Sequence, residues 1–342
     1  MAGRARLAAF SLEGFGMRLD RRQVIAALAI SGAAGRTALA QADYPAKPIR
    51  IIVGFAAGGA PDALARIFAE KLQQRWGQPV IVENRVGAQG NTAMSAVAKA
   101  EPDGYTLALM PIGNAAVNPA LFPNLPYDPV KDFAPISQLA SVENVLVVAA
   151  SSPIRSMAEL VALGRAKTAS LTYASPGAGS LAHLAAELLA RSAGFEMTHV
   201  PYRGVAPALT DVLRGDVTMI VAQLSTAKPL IDNGQLRALA VASPERSKAL
   251  PQVPTLTEAT GIAGLEAVSW YALMAPAGTS AAIVAKTQQA IAEVLKAPDL
   301  VAALEAQGAR PIGGTPAELA AVIAADMARW GKVVREAGIQ PN

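Results

Sequence analysis

Two short stretches carry the residue types that could hold or attack a small molecule. The first is Phe55-Ala56-Ala57-Gly58-Gly59-Ala60-Pro61-Asp62, which follows the β-branched run Ile49–Val53 and precedes a helical pattern. The second is Ser175-Pro176-Gly177-Ala178-Gly179-Ser180, again between a strand-like run and a helical one, with His183 three residues on. In both, glycines permit positive φ and close backbone approach. The exposed N–H groups of the helix that follows carry partial positive charge. Two such openings facing one cleft would cradle a carboxylate or phosphate without a lysine. A tight turn that simply needs small residues is the competing reading for each loop. A third polar stretch, Gly113 to Asn118, contributes Gly113, Asn114 and Asn118.

Single residues within these loops leave alternatives open. Asp62 either stabilises a helix start by its charge, or orients backbone or water, or meets a ligand ammonium. Ser180 and His183 are either a nucleophile and its base or an N-cap and a first-turn residue. No Gly-x-Ser-x-Gly elbow accompanies them. His199 has no evident partner in the sequence and reads as structural. With two histidines, no cysteine and no carboxylate cluster at ligand spacing, neither a metal nor another cofactor is expected. Glu293, Glu305, Glu318 and Asp326 fall on polar helix faces and are expected to be solvated.

The elements that must position these loops alternate in type, which predicts an α/β architecture. Strands are expected at 49–55, 80–83, 106–110, 145–150, 171–175, 218–224, 236–242 and 270–274. Helices are expected from Pro61, with Leu64, Ile67, Phe68 and Leu72 on one face, from Ser180, and from Pro316, with shorter ones at 157–165, 206–213 and 281–296. In open α/β sheets, ligands sit beyond the carboxyl ends of strands, where the polar loops fall. No linker divides the chain, so a two-lobed protein would cross between lobes more than once, near 145–150 and 270–274.

The first forty residues read as an export signal. Arg18, Arg21 and Arg22 precede a short apolar stretch, Val24 to Ala34, and Ala38-Leu39-Ala40 offers a small-x-small cleavage site. The Arg21-Arg22 pair leaves a twin-arginine and an ordinary secretory signal both open, and Met17 is an alternative start. Six arginines and two acidic residues lie in this segment, so 24 basic and 24 acidic residues remain in the mature part. A basic surface for nucleic acid is therefore not expected.

A series of ordered motifs resembles one family. Tyr44-Pro45-Ala46-Lys47-Pro48-Ile49-Arg50 leads into Val53-Gly54-Phe55-Ala56-Ala57-Gly58-Gly59, followed by Val82-Glu83-Asn84-Arg85 and Gly90-Asn91. Pro102-Asp103-Gly104-Tyr105, Asn118-Pro119-Ala120-Leu121 and Leu125-Pro126-Tyr127-Asp128-Pro129 come next. Tyr173-Ala174-Ser175-Pro176-Gly177, Val200-Pro201-Tyr202-Arg203-Gly204, Pro251-Gln252-Val253-Pro254-Thr255 and Ala275-Pro276-Ala277-Gly278-Thr279 complete the set. Across about 44 to 340 the chain resembles Bug-type, TctC-like binding proteins, the periplasmic solute receptors of tripartite tricarboxylate transporters.

The resemblance implies a type II periplasmic-binding-protein fold with a ligand cleft and two crossover strands. Lobe 1 would comprise 41–144 plus 270–342, and lobe 2 would comprise 145–269. It implies a non-enzymatic, monomeric receptor in the periplasm that passes a small carboxylate to membrane permease subunits. The implied ligand-binding residues are Phe55, Ala57, Gly58, Gly59, Ala60 and Asp62 from the first loop. Gly113, Asn114 and Asn118 come from the intermediate one, and Ser175, Gly177, Gly179, Ser180 and His183 from the third. Gln223 faces the same cleft. Two departures stand out. Gly59-Ala60-Pro61-Asp62 replaces a pattern that commonly carries Thr before the Asp, and Ala222-Gln223 replaces an aspartate–asparagine pair. Both leave fewer polar groups for the far end of a ligand. The rival functions are a receptor that feeds a membrane sensor and a secreted hydrolase using Ser180 and His183.

Overall fold

The computed structural model describes residues 44–167, 170–202 and 204–341. The proposed export signal and Arg203 lie outside the described residues.

Two mixed sheets organise the chain. The first holds β1 (Ile49–Val53), β2 (Val80–Asn84), β3 (Thr106–Pro111), β4 (Phe133–Val142), β10 (Ser269–Pro276) and β11 (Ala309–Pro311). Their order is β11-β4-β10-β3-β1-β2, with β1 parallel to β2 and β3, and β10 antiparallel to β3 and β4. The second holds β5 (Asn144–Ala149), β6 (Thr172–Ser175), β7 (Thr198–Pro201), β8 (Met219–Gln223) and β9 (Leu236–Val241). Their order is β7-β6-β8-β5-β9, with β6 parallel to β7 and β8, and β5 antiparallel to β8 and β9. Both sheets belong to one compact unit, Pro45–Asn342.

The chain passes between the sheets twice. β4 ends at Val142 and β5 begins at Asn144, so Glu143 alone separates them. The return runs from β9 to β10. Asn144 Nδ2 ties both passages by donating to Ala267 O at 2.5 Å and Ser269 Oγ at 3.2 Å. The central strands are apolar on both faces because helices cover each side: all six residues of β3 and of β5 are buried.

The helices that matter here start at strand ends. They are α1 (Ala60–Trp76), α2 (Asn91–Ala98), α3 (Asn118–Leu121), α4 (Met157–Ala166) and α5 (Leu181–Ala193). α1 buries Leu64, Phe68 and Leu72 and stops at Gly77, whose φ of 66° no β-branched residue would adopt cheaply. α5 is capped by Ser180 Oγ, which accepts from His183 N at 3.3 Å. The chain continues through α6 (Val205–Arg214), α7 (Leu224–Asp232), α8 (Leu256–Thr260), α9 (Ala281–Val294), α10 (Pro298–Ala306) and α11 (Pro316–Ala337). α11 begins with a Thr315–Glu318 capping box and buries Leu319, Ile323, Trp330 and Val334.

One expectation about a helix carboxylate is corrected. Asp326 is not simply solvated: it accepts Trp270 Nε1 at 2.7 Å, and burial raises its pKa. Glu293 pairs with Arg75 of α1.

Candidate functional site

At the C-terminal end of β1 the chain must turn into α1 without blocking the space beyond. Gly54 makes this possible, since a Cβ there would lie 2.6 Å from Gly90 Cα. Gly90 in turn has φ +87°, and a Cβ on it would lie 3.0 Å from Asn114 Oδ1 and 3.2 Å from Phe55 Cε2. The two glycines thus let three loops converge.

Asp62 then shapes the first loop from inside. Its Oδ2 accepts from Gly58 N at 2.9 Å and Arg66 Nε at 3.0 Å, and its Oδ1 accepts from Asn84 Nδ2 at 2.9 Å. Asn84 Nδ2 also donates to Phe55 O at 3.0 Å. The Arg66 guanidinium, with help from Gly58 and Asn84, lowers the Asp62 pKa to about 2. Of the readings open for Asp62, backbone orientation is the one its contacts match. Of the four amides from Ala57 to Ala60, Gly58 is bonded to Asp62 and Gly59 to Ala56 O at 3.3 Å. Ala57 and Ala60 N–H have no acceptor among the described residues.

The third loop is braced in a similar way. Gly177 N donates to Ser175 Oγ at 3.2 Å, and Ser180 N donates to Gly177 O at 3.2 Å. Gly179 N donates to His183 Nδ1 at 3.1 Å, so His183 carries its proton on Nε2. Burial and neighbouring His199 lower the His183 pKa to about 3, and burial lowers that of His199. The two rings stack at 3.8 Å, His199 Nε2 meets Ser175 Oγ at 2.7 Å, and Tyr173 stacks on His199 at 4.9 Å. Ser180 meets His183 through the backbone amide and not through the ring, which is a cap geometry and not a nucleophile–base pair. The amides this loop leaves without an acceptor, among the described residues, include those of Ala178 and Leu181.

Between the loops lies a cavity of about 300 Å³. It brings together Phe55, Gly113, Asn114 and Asn118 on the side of the first sheet. Gly177, Gly179 and Ser180 line it from the side of the second. It does not include Ala57, Gly58, Gly59, Ala60, Asp62, Ser175, His183 or Gln223. Ser175 and His183 lie buried beneath the loop, and Gln223 Nε2 reaches Tyr271 Oη at 3.4 Å.

Pro111, Pro176 and Ala178 of the same loops, together with Gln89 and Leu181, which sequence reasoning did not single out, complete the lining. It also missed the brace formed by Asn91, whose Oδ1 accepts from Asn114 Nδ2 at 3.0 Å, Asn118 Nδ2 at 2.6 Å and Tyr127 Oη at 3.1 Å. The Gly90-Asn91 pair was the available signal, since a glycine followed by a helix-opening asparagine marks a tight, polar turn. A larger concavity of about 490 Å³, lined in part by Pro119, Phe122 and Met327, contains none of the anticipated residues.

Two sheets with a cavity between their loops define the architecture of two-lobed periplasmic binding proteins, and solved structures match it closely. Rpa4515 of R. palustris, with adipate, is 38% identical, with a TM-score of 0.77 over 87% of this chain and 100% of that one. MatC from Rhodopseudomonas palustris, with bound malate, is 33% identical, with a TM-score of 0.72 over 85% and 100%. Protein BugT of Bordetella pertussis is 39% identical over 307 residues, 89% of this chain and 94% of BugT. Residues 64–339 match the tripartite tricarboxylate transporter family receptor, TctC. The chain belongs to this family.

Proposed function

We propose that this protein is a periplasmic solute receptor that closes two lobes on a small carboxylate and presents it to membrane permease subunits. The carrying observation is the cavity itself. It lies between the two sheets, no lysine or arginine among the described residues lines it, and its lining includes Ala178 and Leu181, whose backbone N–H groups have no acceptor among the described residues. Such donors are fixed in place before the anion arrives, so little ordering cost is incurred on binding. The adipate and malate of the two R. palustris relatives support an acid as the ligand.

The lobes correspond to the two sheets, and the hinge lies at Glu143–Asn144 and near Ala267–Ser269, where Asn144 ties both passages. The first forty residues serve as an export signal cleaved after Ala40. Among the described residues no helix is long and apolar enough to cross a membrane.

The test is thermal denaturation of the purified protein with mono-, di- and tricarboxylates. At 100 times Kd a true ligand adds about 2.7 kcal/mol to the unfolding free energy. A transition temperature that rises with the logarithm of acid concentration supports the reading. No rise with any acid at millimolar concentration removes it.

A further inference from the structure

The ligand's chemical class can be narrowed further, on the basis of the receptor reading above. The two ends of the cavity differ in hydrogen-bonding character. On the first-sheet side stand Asn114 and Asn118, only 1% and 3% exposed. Their orientations follow from a chain of contacts. Asn114 Nδ2 faces the carbonyl of Gln89 at 3.1 Å, so that atom must be the nitrogen. The same nitrogen faces Asn91 Oδ1 at 3.0 Å, which fixes that atom as oxygen. Asn118 therefore turns its nitrogen to Asn91, at 2.6 Å. The side-chain oxygens of Asn114 and Asn118 are left without a donor among the described residues, and neither is enclosed by protein.

Two carbonyl-type acceptors bordering a cavity call for a donor from the ligand, because a ligand that displaces water from them without donating leaves them unpaired. A carboxylate has no proton to give. An ammonium would arrive without a counter-charge, because Asp62 is engaged by Gly58, Asn84 and Arg66 and does not line the cavity. A hydroxyl donates without charge. At the opposite end, the amides of Ala178 and Leu181 suit one carboxylate. Phe55, Pro111 and Pro176 form an apolar wall between these ends. Among the described residues no cationic side chain lines the cavity, so the neutral donors there suit one carboxylate better than two or three.

We propose that the cavity takes a hydroxylated monocarboxylate with an apolar body, its carboxylate on the amides of Ala178 and Leu181 and its hydroxyl on the side-chain oxygens of Asn114 and Asn118.

Isothermal titration of the whole protein with matched probes tests this: butyrate against 3-hydroxybutyrate, benzoate against 4-hydroxybenzoate, with citrate and glutamate alongside. The hydroxylated member of at least one pair should bind about tenfold or more tightly than its partner. Asn118→Leu should reduce that ratio to about twofold. The comparison on the unaltered protein stands even where the variant fails to fold. Equal affinities within both pairs, or tighter binding of citrate or glutamate than of either hydroxy acid, overturn the proposal and leave the receptor reading intact. If no acid binds at all, both fall together.

Discussion

Asp62 shows how a buried carboxylate can shape a glycine-bearing turn at a helix start with its own charge offset. Its two oxygens are spent on Gly58, Asn84 and Arg66, and its charge is offset where it stands. The native carboxyl titrates near 2, against an ordinary value of 3.8, so between these values the unfolded chain binds more protons. The stabilising contribution is therefore complete above about pH 4 and is lost as pH falls towards 2. Asp62→Asn should cost about 1–2 kcal/mol at pH 7, less than a fully buried charged bond because Arg66 is half exposed. Urea midpoints of the two proteins should converge between pH 4 and pH 2. A gap that stays constant over that range would show that the charge of Asp62 is not what matters. The functional reading of Asp62 was only half legible, since its sequence position places it on the first turn but cannot show that Asn84, from another strand, shares it. The same holds for His199, which reads as partnerless until β7 is laid beside β6 and its ring meets Ser175 and His183.

At the scale of elements, α3 and the loop before α5 touch across the cavity, and one glycine decides how closely. A Cβ on Gly179 would lie 2.1 Å from Leu121 Cδ2, and the residue has φ +73°. Gly179→Ala should therefore weaken ligand binding by two routes, about 1 kcal/mol of backbone strain and a collision that holds the lobes apart. Adding Leu121→Ala separates them. If the collision dominates, the double variant regains most of the lost affinity by calorimetry. If affinity stays low in the double variant, strain alone accounts for the loss and the contact does not govern closure.

Strongly periodic elements such as α1, α5 and α11 were legible because one face of each is plainly apolar. β4 was not, since Phe133-Ala-Pro-Ile-Ser-Gln-Leu-Ala-Ser-Val carries Pro135 and three polar residues in a strand flanked by β10 and β11. α7 was hidden by Pro229 within it, and β7 by its mixed makeup from Thr198 to Pro201, with none of its residues buried. The glycine loops were legible as turns between a strand and a helix. Which amides remain available was not, because it depends on Asp62, Ser175 and His183 folding back on their own loops.

For the whole molecule, the question is what holds two sheets together where two passages join them. α11 packs against β4 of the first sheet and against α5 beside the second. It is anchored to the return passage: Arg329 Nη2 donates to Gly264 O at 2.8 Å and also to Glu266 O, and Trp270 Nε1 donates to Asp326 at 2.7 Å. The Arg329 guanidinium also lies over the Trp330 ring at 4.6 Å. Because the helix touches both sides, it limits how far the lobes part, and its anchor should set the stiffness of the hinge. Arg329→Ala removes the charge-assisted bonds to both carbonyls and should lower unfolding free energy by about 1–2 kcal/mol. The more telling readout is local. Amide hydrogen exchange between residues 262 and 270 should speed up before the strands of either sheet do, because the passage loses its anchor while the cores keep theirs. Small-angle scattering of the ligand-free variant should show a larger radius of gyration than the parent, and a saturating acid should close that gap. If exchange accelerates evenly over both sheets, Arg329 supports the fold as a whole and the hinge takes its stiffness from the Asn144 bonds instead.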